Sequence, residues 1–394
     1  MKFFQEYCFD CGRLKINHLE SWLDDFLSLL PPLKLHSKFI SFFDGFFEKI
    51  FVFLRLLKYE EIKNLENLKI ALRSKIFISE ILKNKFKVFI GKSIFGYTNN
   101  FLVKINNKEI YFQGLPIADH LNYKINLIDN KNYVKKILIE NNFPVPQGKV
   151  FWFWEKNKAL KYGKKLGWPL VVKPKNGTFA RHITSNILND LDLKKGINKA
   201  LEYAPSFLIE EYIPGFVFRA TVIDFEKVFC VKQIPANVCG NGQSTILELV
   251  NKKNSNPLRG NPHDKNFILS KILINNTTDE LLKQKGYTYN SVPNQGEVVY
   301  LQKDPFLRLG GDLEDVTFKI HPDNKKMFQN IAKLFNILVV GIDFVALDIA
   351  QSYKNQKCGI LELNTLPSIE LHTLNNEKES IAKAMFDLFK KYYL

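Results

Sequence analysis

In the last two thirds of the chain, short apolar runs typical of strands alternate with segments of helical periodicity. The helical patterns lie at residues 131–141, 159–166 and 323–335. The prolines of Phe143-Pro144-Val145-Pro146 keep the chain extended before the next strand, because a proline disfavours helical geometry in the residue ahead of it. A long polar insertion runs from residue 251 to about 293. The pattern predicts an α+β fold that combines helices with sheets.

The first 85 residues differ in pattern, because they read as several helices, whereas residues rich in β propensity follow them. We therefore expect a mainly helical N-terminal region over residues 1–85 and a small α/β or β-hairpin unit over 86–127. The main domain is expected over residues 128–394, with a small lobe at about 150–213.

A Phe-rich stretch at residues 39–57 is the most lipid-like part of the sequence. Asp44, Glu48, Lys49 and Arg55 interrupt it, whereas a membrane-spanning helix needs about 20 mostly apolar residues. We therefore predict no transmembrane segment. The stretch is interpreted as an amphipathic helix that packs on a core or on a subunit partner, which makes the N-terminal helices a candidate contact in a homo-oligomer. A membrane-surface helix is the alternative.

The chain has 394 residues and a net charge of +16, from 56 Lys and Arg against 40 Asp and Glu. This charge would suit nucleic acid, but no basic cluster is interleaved with base-stacking aromatic residues, so no nucleic-acid binding is expected. Polyphosphate nucleotides also need a positive site. The N-terminus has no uninterrupted apolar region followed by a small-residue cleavage site, so no signal peptide is predicted and the protein is expected in the cytoplasm.

Cys8 and Cys11 are the only pair among the five cysteines whose spacing is typical of a metal or redox site. A zinc site normally needs four ligands. Neither a second cysteine pair nor a histidine pair accompanies these two in the sequence. We therefore expect two reduced cytosolic thiols rather than a zinc site.

Oxygen-bearing side chains near the C-terminus form the strongest candidate site. Asp348 closes one predicted strand, and Glu362 and Asn364 lie on the next, where alternation places them on the same face. If the two strands are neighbours, the three side chains converge as the hard oxygen ligands that Mg²⁺ prefers. The sequence thus predicts a magnesium site, whereas solvated acids at strand ends would be the interpretation for any one of them alone.

A basic element precedes this site in the chain. An apolar strand delivers Lys173 to a glycine-containing turn, where a lysine can neutralise phosphate oxygens. The turn includes Gly177 and Arg181, and Arg181 could add a second phosphate contact. Farther on, Leu208-Ile209-Glu210-Glu211-Tyr212-Ile213-Pro214-Gly215 is interpreted as a strand edge whose backbone could pair with an adenine ring, and Arg219 follows on a strand.

With these residues in place, residues 128–373 resemble the ATP-grasp module of cyanophycin synthetases and of bifunctional glutathione synthetases. The resemblance covers roughly the last two thirds of the chain, and its segments occur in family order. They include Val171-Val172-Lys173-Pro174, Glu210-Glu211-Tyr212-Ile213-Pro214-Gly215, Pro235-Ala236-Asn237-Val238, Asn256-Pro257-Leu258-Arg259-Gly260, Gly341-Ile342-Asp343 and Glu362-Leu363-Asn364-Thr365-Leu366-Pro367.

The resemblance implies an ATP-grasp fold in which two α+β lobes clamp ATP together with Mg²⁺ or Mn²⁺. It implies a reaction in which a substrate carboxylate becomes an acyl phosphate, which an amine attacks to give an amide, ADP and phosphate. The substrates would be a small-molecule carboxylate and amine, such as amino acids or peptides. The implied site residues are Lys131, Lys173, Gly177, Arg181, Glu210, Glu211 and Ile213 for ATP, Asp348, Glu362 and Asn364 for the metal, and Arg219 and Arg308 for catalysis.

The sequence departs from the family pattern at several places. Ala180 and His182 stand where the phosphate loop usually has glycine, and Val217 replaces the acid that normally binds the ribose. These departures leave two alternatives to a small-molecule ligase. One is a nucleotide-binding or scaffold protein that has lost catalysis. The other is a ligase that modifies a protein or peptide terminus, with the Phe-rich helices docking the partner.

Overall fold

The structure, a computed structural model, describes residues 6–8, 10–11, 13–27, 57–66, 68–93, 96–105, 108–113, 128, 131–175, 181–262, 264, 266–374 and 380–394. The Phe-rich stretch predicted to be an amphipathic helix lies outside these residues except for Leu57. Gly177 and Ala180 of the predicted phosphate loop also lie outside them.

Helices and strands are distributed along the whole described part of the chain. The α-helices in it are α1 (His18–Leu27), α2 (Leu72–Lys83), α3 (Lys131–Glu140), α4 (Lys156–Leu166), α5 (Asp190–Leu201), α6 (Ile246–Asn254), α7 (Asn276–Gln284), α8 (Pro322–Phe335) and α9 (Ile381–Tyr393). None of these helices is long and apolar enough to span a bilayer.

The β-strands were assigned over the same described residues. They are β1 (Tyr7–Cys8), β2 (Arg13–Leu14), β3 (Leu57–Ile62), β4 (Lys87–Ser93), β5 (Gly96–Ile105), β6 (Lys108–Gln113), β7 (Gly148–Trp152), β8 (Leu170–Pro174), β9 (Thr184–Ile187), β10 (Ser206–Glu211), β11 (Phe216–Ile223), β12 (Lys227–Ile234), β13 (Asn237–Cys239), β14 (Arg259–Gly260), β15 (Leu269–Ser270), β16 (Val298–Tyr300), β17 (Asp312–Asp315), β18 (Val339–Ala346) and β19 (Gly359–Asn364).

An antiparallel sheet of order β3-β4-β5-β6 precedes the main domain. Helices α2 and α9 cover it, and Phe77 of α2 and Phe389 of α9 are fully buried with the sheet residues Phe101 and Phe112. The N-terminal region, which we predict to be mainly helical, also contains a strand at Leu57–Ile62, which pairs with β4. This sheet therefore continues across residue 85, where the sequence suggests a boundary.

A second antiparallel sheet, of order β7-β10-β8-β9, spans residues 148–211. Its apolar face packs on α4 and α5, where Leu170, Val172, Phe207 and Ile209 are fully buried. Such a layer of two helices on one sheet face is what strands with alternating buried side chains require. This sheet and its two helices form the small lobe.

The largest sheet has the order β17-β12-β11-β18-β19 and packs against α8. Every residue of β18 is buried, as expected for a strand covered on both faces. The chain passes from the small lobe into this sheet at Gly215, whose φ is +138°. A Cβ at Gly215 would lie 2.3 Å from the carbonyl oxygen of Ala346, so only glycine fits between the end of β18 and the start of β11. The α+β prediction is confirmed.

The N-terminal segment docks on the small lobe. Asp25 of α1 is fully buried, accepts a hydrogen bond from the hydroxyl of Ser206, and lies 3.4 Å from the Nζ of Lys175. The ring of Trp22 lies 5.8 Å from that of Phe153. A buried carboxylate is tolerated only where it is paired and hydrogen-bonded, so α1 is held specifically against β8 and β10.

Candidate active site

A pocket opens where α3 meets β8 and β10 of the small lobe and β19 of the large sheet. Apolar side chains from α3, β10 and β19 line its walls, including Leu138, Leu208 and Ile360. Lys131, Lys135, Lys173, Glu210 and Glu362 supply its charged groups. A concave site with apolar walls and a few converging charged groups is typical of small-molecule binding.

Glu210 lies between two lysines on the small-lobe side of the pocket. Its carboxylate is 2.6 Å from the Nζ of Lys135 and 2.6 Å from that of Lys173, and only 5% of its side chain is exposed. The strand register explains the contact with Lys173. Lys173 of β8 pairs with Leu208 of β10, and Glu210 lies two positions beyond Leu208 on the same face of the strand. Burial alone would raise the pKa of Glu210, but the two lysines hold that pKa below its ordinary value.

A second charged cluster faces it from the large sheet. Arg219 of β11, Asp343 of β18 and Glu362 of β19 occupy one row across three adjacent strands. Arg219 donates two hydrogen bonds to the carboxylate of Asp343, from Nε to Oδ1 and from Nη2 to Oδ2, and the second is 2.9 Å long. Lys131 of α3 lies 3.1 Å from Oε2 of Glu362. Four charges from four elements therefore meet at this point.

The two carboxylates of this cluster titrate differently. Burial raises the pKa of Asp343, and the neighbouring Glu362 raises it further despite Arg219. Glu362 has its pKa lowered instead, because Lys131, Asp343 and Arg219 outweigh the effect of burial. Close carboxylates with separated pKa values are typical of sites that bind a cation or transfer a proton.

The structure brings together two of the three predicted metal ligands. The side-chain amide of Asn364 donates to Oε1 of Glu362 at 3.3 Å. Asp348 lies in the exposed turn after β18, where its Oδ1 accepts from the backbone N–H of Ala350 at 2.9 Å. The carboxylates of Asp343, Asp348 and Glu362 do not form a group within 4.8 Å of one another.

Asp343 and Lys135 are site residues that the sequence did not single out, although Gly341-Ile342-Asp343 is part of the family pattern. An available signal was the isolated charge within an otherwise apolar strand. An acid in a buried strand needs a partner, and Arg219 on the neighbouring strand supplies it.

The residues predicted to bind the adenine lie partly inside the small-lobe sheet and partly just beyond it. The prediction of a strand edge at β10 is wrong, because this strand pairs with β7 on one side and β8 on the other. The carboxylate of Glu211 has two partners. It accepts a hydrogen bond from the backbone N–H of Gln147 at 2.9 Å, and it lies 2.8 Å from the Nζ of Lys357. Ile213 is buried just beyond the strand. The backbone past Glu211 is thus the part of this segment that lies outside the sheet.

The other two predicted arginines lie toward the N-terminal segment. Arg308 forms a 3.2 Å ion pair with Asp10. Arg181 interacts electrostatically with Cys11 and His18. Arg308 is therefore paired with the N-terminal segment, which the sequence did not connect with the site. The positive charge of Arg181 acts to lower the pKa of both Cys11 and His18 in that segment.

No protein-family model matches the chain. A cyanophycin synthetase of Trichormus variabilis is 34% identical over 267 residues, which make up 67% of this chain and 29% of that protein. The glutathione biosynthesis bifunctional protein GshAB of Clostridium perfringens is 36% identical over 267 residues, 66% of this chain and 34% of that protein. The chain thus spans about a third of the length of these relatives.

Among solved structures, the bifunctional glutathione synthetase from Pasteurella multocida superposes with a TM-score of 0.62 at 24% identity. The superposition covers 82% of this chain and 44% of that one. It confirms the fold inferred from the sequence. The chain therefore has the ATP-grasp fold, and two thirds of its length is similar to cyanophycin synthetases and to bifunctional glutathione biosynthesis proteins.

Proposed function

We propose that the chain is an ATP-dependent carboxylate–amine ligase that forms ADP and joins an amino acid or peptide to an amine through an acyl phosphate. The observation that carries the proposal is the meeting of two charged clusters at one pocket between the lobes. In the first cluster, Lys135 and Lys173 both contact Glu210. In the second, Lys131 contacts Glu362 and Arg219 contacts Asp343. Phosphoryl transfer depends mostly on such positioned charges.

The cations hold the phosphates in this proposal. Lys173 contacts Glu210 of the small lobe and Lys131 contacts Glu362 of the large sheet, so a triphosphate bound to both lysines would contact both lobes. Glu210 fixes the direction of the Lys173 side chain before the nucleotide arrives. The planar guanidinium group of Arg219 suits an acyl phosphate, and its hydrogen bonds to Asp343 hold it in position. Positioning of this kind reduces the reorganisation needed during the reaction.

The oxygen donors fit a divalent cation. Asp343, Glu362 and Asn364 would hold Mg²⁺ or Mn²⁺, since two carboxylates and an amide oxygen are hard ligands of the kind that these ions prefer. We assign Asp343 rather than Asp348 to this set, because Asp343 lies opposite Glu362 in the register of β18 and β19. When bound, the metal neutralises charge on the phosphates. In this structure the positive charges of Lys131 and Arg219 offset the negative charges of Glu362 and Asp343.

The test is phosphate release by the full chain with ATP, Mg²⁺ and pooled amino acids or dipeptides, with products identified by mass spectrometry. We expect release above the level without substrate, and Glu362→Gln should lower it at least about 100-fold. Glu280→Gln is the matched control, because the side chain of Glu280 is 63% exposed and forms a surface ion pair with Lys303. Release equal to the level without substrate across a broad panel would refute the proposal.

A further inference from the structure

Cys8 and Cys11 do not stand apart from histidines in the folded chain. Their Sγ atoms lie 3.3 and 3.4 Å from Nε2 of His182, and His18 completes the group. The ligand atoms of all four residues lie within 4.8 Å of one another. Their exposed fractions are only 4%, 4%, 1% and 3%, in the order Cys8, Cys11, His182 and His18. No local sequence pattern connects Cys11 with His182, because the two residues are 171 positions apart.

The hydrogen bonds behind the group orient both histidine rings. Nδ1 of His18 lies 2.7 Å from the carbonyl oxygen of Glu202, and Nδ1 of His182 lies 2.9 Å from that of Lys199. A carbonyl can only accept, so each Nδ1 carries the proton, and each Nε2 directs a lone pair into the group. This is the outer hydrogen bonding that metal-ligating histidines use to fix the tautomer.

Nε2 of His18 is buried and has no hydrogen-bond partner in the described part of the chain. A buried polar atom without a partner costs free energy, so it indicates a missing ligand at that position. The hydrogen bonds from the two thiols satisfy His182 alone. A cation at the centre of the group would satisfy both rings and both sulfur atoms.

We propose that Cys8, Cys11, His18 and His182 bind one Zn²⁺ in a tetrahedral structural site. With Zn–S bonds of about 2.3 Å and Zn–N bonds of about 2.0 to 2.1 Å, the sulfur-to-nitrogen edge of a tetrahedron is about 3.5 Å. The two observed sulfur-to-nitrogen distances, 3.3 and 3.4 Å, are close to that edge. Cys8 and Cys11 have the two-residue separation of paired zinc ligands, and they lie in the β1–β2 hairpin.

The donor set selects the metal. Two thiolates and two imidazoles suit zinc, whereas Mg²⁺ and Ca²⁺ take oxygen ligands. A disulfide between Cys8 and Cys11 would account for the cysteines but would give Nε2 of His18 and Nε2 of His182 no ligand. The four ligands also fill a tetrahedral shell completely, which is the pattern of structural rather than catalytic zinc.

The site would join the N-terminal segment to the small lobe. Cys8, Cys11 and His18 belong to that segment, whereas His182 lies directly before β9. Asp10, between the two cysteines, accepts from the backbone N–H of His182 at 3.1 Å and forms ion pairs with Lys199 and Arg308. The metal would therefore fix the chain just after residues 176–180, where the phosphate loop is expected.

The proposal also explains one departure from the family pattern. His182 replaces a residue that is usually glycine, and its φ of +53° is a left-handed value that glycine adopts without strain. A histidine in this conformation carries a conformational cost. A ligand role provides a reason for histidine at this position.

The test is metal analysis of the full chain, purified under reducing conditions without chelator, by plasma mass spectrometry. We expect about one zinc per chain. His18→Ala and His182→Ala should each lower the zinc content at equal chelator concentration at least about tenfold, since an incomplete ligand set binds structural zinc poorly. Cys239→Ser is the matched control, because Cys239 is an exposed free thiol outside the group and its loss should leave the content unchanged.

The coordination geometry of the metal is measured on the unaltered chain. The test therefore does not depend on variants that fail to fold. Replacement of zinc by Co²⁺ should give the visible bands of a tetrahedral ion together with a thiolate charge-transfer band. A chain without metal, a Cys8–Cys11 disulfide in the protein as purified, or zinc content independent of both histidines would each overturn the proposal. None of these readouts depends on ligase activity.

Discussion

Asp343 lies directly opposite Glu362 on the antiparallel strands β18 and β19, and Arg219 contacts Asp343 from the other side. The pair of acids is thus framed by two cations, since Lys131 contacts Glu362. Asp348 is five positions farther along, beyond the end of β18. This relationship makes the two aspartates distinguishable by mutation.

We expect Asp343→Asn to lower ligase turnover about 10²- to 10³-fold, the typical effect of losing one charge-stabilising group in a water-poor site. Asp348→Asn should have a much smaller effect, because its carboxylate closes only a local turn. Asp343→Asn also removes the partner of Arg219, which should cost about 3 kcal/mol of unfolding free energy. Phosphate release and urea unfolding measure the two effects. A larger loss of turnover in Asp348→Asn would reverse our assignment of the metal ligands.

Much of the small lobe and its chemistry could be predicted from sequence. An apolar strand ending in Lys173 and a strand carrying Glu210 are local patterns, and local alternation also placed Glu362 and Asn364 together. Lys131, Lys173, Glu210 and Glu362 do line one pocket. The pairing of Glu362 with Asn364 needed only the direction of side chains on one strand, whereas Lys131 was implied by the resemblance to the ATP-grasp module.

Contacts between distant elements could not be predicted in the same way. Arg219 and Asp343 are 124 positions apart, and their contact depends on the register of β11 with β18. Leu57–Ile62 lies in a region that the sequence predicts to be mainly helical, and its pairing with β4, which begins 30 residues later, cannot be predicted from the local pattern. The Cys8, Cys11, His18 and His182 group has the same origin, because only the docking of α1 on the small lobe brings it together. Register and docking are properties of the whole fold rather than of a local pattern.

Glu210→Gln tests the small-lobe cluster. The substitution leaves Lys135 and Lys173 without their shared carboxylate, so we expect a loss of about 3 to 5 kcal/mol in unfolding free energy. ATP should raise the melting temperature of the variant by more than that of the unaltered chain, because the phosphates would replace the missing negative charge. Glu280→Gln removes an exposed partner and should change stability by about 0.5 kcal/mol or less. Equal unfolding free energies for Glu210→Gln and the unaltered chain would contradict the buried pairing.

Gly215→Ala tests the passage between the lobes. A methyl group there meets the Ala346 carbonyl at 2.3 Å and also requires an unfavourable φ of +138°. The matched control is Gly286→Ala, where φ is +72° but no atom lies within 4 Å of the added Cβ. We expect the control to lose about 1 kcal/mol and Gly215→Ala to lose clearly more, on the order of 3 kcal/mol. Urea unfolding of both variants gives the comparison, and equal losses would show that Ala346 yields to the methyl group.

His372 makes stability depend on pH. Its ring is buried, and Nε2 lies 2.8 Å from the hydroxyl oxygen of Thr221. Burial, together with the nearby Arg219, lowers the pKa of His372 from 6.5 to about 3. Between these two values the unfolded chain binds a proton that the folded chain does not, so stability falls as the pH decreases from 6.5 toward 3.

The His372→Gln variant removes this titration and keeps a polar group near Thr221. We expect its unfolding free energy to fall less steeply with decreasing pH than that of the unaltered chain, by up to about 1.4 kcal/mol per pH unit in this window. Above pH 6.5, the unfolded-state value, the difference between the two proteins should become constant. Urea unfolding at several pH values measures both curves. Parallel curves throughout would mean that His372 takes up its proton in the folded protein as readily as in the unfolded chain.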